Sequence, residues 1–463
     1  MSSRKRNSRK RKVHPQGLSG NPQRRAQQLR QKQLAAHSPA FLELAYHLAG
    51  GAPAEPWWRE SHERILGRAR TRSWPSLLAD LETHACQIVG DEFYDRLQSS
   101  ETGFHPSQWL RALAEETGTA LRTALAQGAD EWPKLWALLC GLALIAPQTP
   151  ANANETAHEL FPDIKDPYET ALAEADVAAK LLADYGLEPG GTWMADGSRV
   201  AGEPLAARDV YGSRFLFAAP FGYGGDTPDH WYAWDIDCCW IDRVVGAGVF
   251  ASAEDALREW RGAVGPTASA AALSPCPGET PAQLLASCLP TSALADVLEG
   301  SEPRELIREY YRLRRRARDL IGSAGAGADS SSFDVSHVDQ VFLAWYAARH
   351  DDIAAKAAAE ALGTLLEEWG PGKSPDERAF YACSPHRIEM AARLLRDAYF
   401  PDYANAALRL LPEWTEWCID QSGLDSDAAA RSREAAHSAA SELVDDNAKR
   451  VTEDDTTPFR RPE

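Results

Sequence analysis

The chain has 463 residues, 44% hydrophobic and 25% charged, with eight cysteines and a formal net charge of −18. These values exclude a wholly disordered chain, a collagen-like repeat and a small disulfide scaffold, and at roughly 150 residues per domain they imply two or three units. No Cys-x-x-Cys pair occurs and no apolar run reaches the ~18 residues of a membrane span, so a reduced, cytoplasmic protein without membrane contact is expected.

Charge is segregated along the chain. Residues 1–33 hold eleven of the 49 Lys and Arg (Arg4, Lys5, Arg6, Arg9, Lys10, Arg11, Lys12, Arg24, Arg25, Arg30 and Lys32) and no Asp or Glu. The remainder carries 38 basic against 67 acidic side chains, a net of −29, so a basic arm precedes an acidic body. So little apolar surface with so much like charge cannot offset chain entropy, and residues 1–37 are expected to be disordered in isolation. Val13-His14-Pro15-Gln16-Gly17 follows the first basic cluster where a secretion signal would place an apolar stretch. Such an arm binds nucleic acid without sequence choice, by releasing counterions from phosphates. The same charge also suits an acidic protein surface at salt-screened strength, or a purely solubilising tail.

Asn21 and Pro22 suit the cap and first position of a helix from Gln23 to Ala36 that displays Arg24, Arg25, Arg30 and Lys32. The stretch from Gly17 to Arg25 resembles the Gly-x-Ser-Gly-Asn-Pro…Arg motif near the N terminus of some phage- and plasmid-associated proteins. It departs from that motif after Arg24, where the family continues with Pro and Gly. With only 10 of the 49 basic residues Lys, and abundant Ala, Gly, Arg and Trp, the whole chain resembles hypothetical proteins of high-GC, streptomycete-like actinobacteria. That resemblance implies no activity.

From Pro39 to about Ile164 the pattern is helical. Trp74-Pro75 opens a helix to about Leu97, His105-Pro106 another to about Ala126, and Trp132 to Ile145 is apolar nearly all round, as a buried bundle helix is. Pro167 to Tyr185 is a further helix closed by Gly186. Beyond it the period becomes two. Arg214 to Phe221, His230 to Ile241 and Val244 to Phe250 read as strands, and Ser252 caps a helix from Ala253 to Val264. Residues 266–281 read as a linker, and helices are expected near 281–299, 303–321, 335–349, 352–368, 385–399, 402–421 and 426–446. The fold class is therefore mainly α and multi-part, with helical bundles flanking a small α+β module made of an antiparallel β meander plus a helix. In order, the parts are an arm (1–37), a helical region (38–165), a helix with the α+β module (166–265), the linker (266–281), a second helical region (282–449) and a tail (450–463).

Four constellations bear on chemistry. Val244-Val245-Gly246-Ala247-Gly248-Val249-Phe250-Ala251 has the look of a dinucleotide-binding turn. Glu254 and Asp255 in the next helical turn oppose a pyrophosphate, however, and no second parallel strand follows, so a glycine-relieved strand bulge or turn is expected and no cofactor is assigned. Asp235 and Asp237 share a strand face, with His230 at the strand's start, and are the candidates for a cation or an acid/base pair; solvated acids on the open side of a sheet are the plainer reading. Cys238 and Cys239 lack ligand-spaced Cys or His nearby and read as packing, while His337 and His386 open helices and read as structural or solvated. On the helix 303–321, Arg304, Arg308, Arg312, Arg315 and Arg318 lie opposite the apolar seam as a secondary anion-binding stripe, facing either phosphate or the protein's own acids. The module from Asp235 into the following helix also resembles the β-β-β-α modules of small antitoxin-type proteins, and that resemblance assigns no site.

Taken together, a non-enzymatic binding or regulatory factor is expected, tethered to nucleic acid by its arm, with the helical body engaging a protein partner. An enzyme using the acids near Asp235 and Asp237, or a helical interaction scaffold, is the alternative.

Overall fold

Proline opens helices repeatedly in this chain, because its missing N–H is not needed in a first turn and its fixed φ suits one. A computed structural model describes residues 56–98, 106–146, 167–187, 198–224, 229–239, 242–276, 285, 288, 304–323, 337–369 and 377–444. The basic arm, its Gln23 to Ala36 helix, the tail and all of 281–299 except Leu285 and Cys288 lie outside these residues. Five prolines start helices: α1 (Pro56–Thr71), α3 (Pro106–Ala126), α5 (Pro167–Asp184), α11 (Pro385–Ala398) and α12 (Pro401–Ser422). The others are α2 (Leu78–Gln98), α4 (Trp132–Ile145), α6 (Ala253–Val264), α7 (Arg304–Ser323), α8 (Val338–Ala347), α9 (Asp352–Trp369), α10 (Glu377–Tyr381) and α13 (Ser426–Ser441). Thirteen helices and one six-stranded antiparallel sheet among the described residues make the protein mainly α with a small α+β module. Among the described residues no helix is long and apolar enough to cross a membrane.

The sheet runs β5 (Arg243–Phe250), β4 (His230–Asp237), β3 (Arg214–Gly222), β2 (Leu205–Arg208) and β6 (Ser274–Pro275), with β1 (Arg199–Val200) also paired to β3. The stretch 266–276, which the sequence suggests is linker, instead lays a 3-10 turn and the edge strand β6 against the module, burying Ala268 completely. The period of two separates the faces. Phe215, Phe217, Phe221, Tyr232, Trp234 and Ile236 enter a core shared with α1 to α5 and α7, while Leu216, Ala218 and Ala233 pack under Leu257 and Trp260 of α6. Because α6 covers part of the second face, Asp235 is mostly shielded from water, its side chain 14% exposed.

Helix α7 packs along α2, and Gly90 makes the approach possible: a Cβ there would run into the Arg308 backbone. A second core joins α8 to α13 around Trp369, Trp414 and Trp417.

Candidate functional sites

Glu82 of α2, Tyr223 just past β3, His230 of β4 and Arg316 of α7 converge where helices and sheet meet, and none is more than 6% exposed. Arg316 donates to Glu82 Oε2 at 2.5 Å and to the Tyr223 hydroxyl at 3.0 Å, and Tyr223 donates to the same carboxylate. His230 Nε2 lies 3.1 Å from Arg316 Nη2. A guanidinium can only donate, so His230 Nε2 is the bare acceptor nitrogen and its proton sits on Nδ1. Burial, then the charges of Arg316 and Arg312, lower His230 to about 3, and burial followed by the Glu82 charge pushes the Tyr223 hydroxyl up. Phe221 presents its ring face to the guanidinium at 4.6 Å. These groups hold a buried charge and its counter-charge in place, and they tie α2, the sheet and α7 together.

The acids proposed from sequence do not converge with His230. His230 points to the helical side of the sheet and Asp235 to the α6 side, since even and odd positions of β4 face opposite ways. Asp235 is also committed already. Arg214 grips it bidentately at 2.7 Å through both Nε and Nη2, and Trp260 Nε1 adds a bond at 2.9 Å. A register shift beside Asp235 leaves Val245 as an extra residue in β5, so of the bulge or turn expected there it is a bulge, and a Cβ on Gly246 would lie 3.3 Å from Asp235 Cβ. Above it a pocket of about 280 Å³ opens between β5 and α6, with Glu259 and Glu305 at its edge. Gly246 and Gly248 lie in an antiparallel sheet, not in the parallel βαβ unit a dinucleotide fold requires.

The arginine stripe of α7 meets the protein's own acids, one of the two surroundings expected for it. Arg312 and Arg315 are packed against the body, each 3% exposed, while Arg308 and Arg318 are half-buried and Arg304 is exposed. Arg308 donates to Asp91 Oδ1 at 2.7 Å, and Arg304 lies 3.5 Å from the same oxygen. Arg312 pairs with Glu309 and donates to Thr83 Oγ1 at 2.9 Å, while Arg315 donates to Asp319 Oδ1 at 3.0 Å and to the Ala146 carbonyl at 3.2 Å. Arg318 is not free either. The body's own acids thus pair with four of the five arginines of the stripe.

Asp237 and Cys239, at the end of β4, meet His386 in the first turn of α11, with ligand atoms all within 4.8 Å of one another. Cys239 donates its backbone N–H to Asp237 Oδ1 at 2.8 Å, and its sulfur lies 3.5 Å from Ser384 Oγ, 145 residues further along the chain. Burial and the Asp237 charge push the Cys239 thiol up to about 12. Arg387, 2% exposed, spends its donors on the Trp369, Ala379 and Ala382 carbonyls. Sequence reading set aside both the cysteine pair and His386, because helix α11 brings the histidine back from far along the chain.

Comparison with family models, with curated proteins and with solved structures finds no match. All eight cysteines are free and only Cys276 is partly exposed, so the chain is folded without disulfides.

Proposed function

We propose that the protein is a binding factor that attaches to nucleic acid, without sequence choice, through its basic N-terminal arm, while the helical body engages a protein partner. The observation that carries this reading is the placement of eleven Lys and Arg, and no acid, in residues 1–33 ahead of a body with net charge −29. The packing of α7 supports it. In the other dense run of arginines, Arg308, Arg312 and Arg315 are paired with Asp91, Glu309 and Asp319, whereas residues 1–33 contain no acid to pair with. Electrostatic repulsion between the acidic body and a polyphosphate would hold the body away from the strand and free for other contacts.

The test is retention of the full chain on immobilised DNA and RNA at low salt, beside a full-length variant with Arg4, Lys5, Arg6, Arg9, Lys10, Arg11 and Lys12 all replaced by Gln. The expected result is salt-eluted retention of the natural chain and flow-through of the variant. Equal behaviour of the two would overturn the reading.

A further inference from the structure

We propose that Asp237, Cys239 and His386 form a site for a zinc-like divalent metal ion, which joins the end of β4 to the start of α11. This inference does not depend on the nucleic-acid reading. The three side chains come from two separate parts of the fold, yet their ligand atoms already lie within 4.8 Å of one another. Ligand distances of about 2.0 to 2.3 Å place tetrahedral ligand atoms roughly 3.3 to 3.7 Å apart, so closure takes about an ångström. His386 is the exposed member of the three and can supply that movement by turning its ring.

The chemistry of the set selects the metal. One thiolate and one carboxylate balance the charge of a divalent ion, leaving a neutral site that is not costly to bury, and imidazole completes it. A thiolate with an imidazole favours Zn2+ or Co2+, whereas Mg2+ and Ca2+ take oxygen. Three protein ligands with an exposed histidine leave a fourth position for solvent, the open arrangement of a reactive zinc centre and not of a closed structural one.

The surroundings already orient the ligands. Ser384 caps α11 by accepting the Arg387 N–H, which leaves its own hydroxyl proton to donate to Cys239 Sγ. The Cys239 N–H holds Asp237 Oδ1 in place, and Oδ2 lies 3.8 Å from Arg243, beyond hydrogen-bond range.

Titration of the full chain with Co2+ reads the site directly. One equivalent is expected to give thiolate-to-cobalt charge-transfer absorption in the near ultraviolet and tetrahedral bands in the visible, both removed by one equivalent of Zn2+ and not by Mg2+. Cys239→Ser should abolish the charge-transfer band. Ser384→Ala should weaken Zn2+ binding about 10- to 100-fold, as loss of an orienting partner does. His386→Ala, at an exposed position where folding is safe, should weaken it further. No charge-transfer band at one equivalent, or Zn2+ binding unchanged by His386→Ala, would overturn the proposal.

Discussion

Glu82 and Arg316 are an ion pair sealed from solvent, their side chains 1% and 0% exposed and 2.5 Å apart. Two charges out of water are tolerable only while each neutralises the other, so removing one is far worse than removing both. Glu82→Ala is expected to cost about 3 to 5 kcal/mol in urea unfolding. A Glu82→Met, Arg316→Met double variant should lose less than the single one. A single-variant loss under about 1 kcal/mol, the range of an exposed pair, would show that the charges are not buried together.

His230 gives the same knot a pH dependence. Its pKa falls from 6.5 to about 3 on folding, so the unfolded chain binds the extra proton between those values. Stability from this group is therefore complete above about pH 6.5 and is lost as pH falls towards 3, at roughly 1.4 kcal/mol per pH unit. In His230→Gln the acid limb of a stability–pH curve should lose a slope of about one proton. An unchanged slope would mean that His230 is protonated in the folded protein.

Gly90 tests the contact between α2 and α7. Gly90→Ala pushes a methyl group into the Arg308 backbone, which cannot rotate away as a side chain could. The expected loss is about 1 to 3 kcal/mol, although alanine is the better helix former. A neutral or stabilising result in thermal unfolding would place the two helices further apart.

How far the sequence discloses this fold depends on whether each signal is local. Trp132–Ile145 and Ala253–Val264 have the bounds expected of them, since an apolar run, a Ser252 cap and the glycine after the last turn are all local. The strands β1 and β6 have two residues each and α10 has five, too few for any period to show. At Arg312 and Arg315, helical spacing displays the charge but not the buried surroundings, which depend on α2 and α4 packing alongside. The meeting of Cys239 with His386 is invisible for the same reason.

Asp235 separates positioning from ligation. Held by Arg214 and Trp260, it should act as an anchor of α6 on the sheet and not as a metal ligand. Asp235→Asn is expected to lower stability by about 1 to 3 kcal/mol, the cost of a broken charge-assisted network, while leaving Co2+ absorption intact. Loss of the cobalt spectrum in a folded Asp235→Asn protein would contradict that division.

The attachment to polyphosphate is tested most directly by the salt dependence of binding to a fluorescent oligonucleotide. Each neutralised phosphate adds about 0.7 to 0.9 to the slope of log affinity against log salt, so replacing seven arm cations by Gln should flatten that slope by roughly 5 to 6. Equal slopes for the natural chain and the neutralised one would contradict the account.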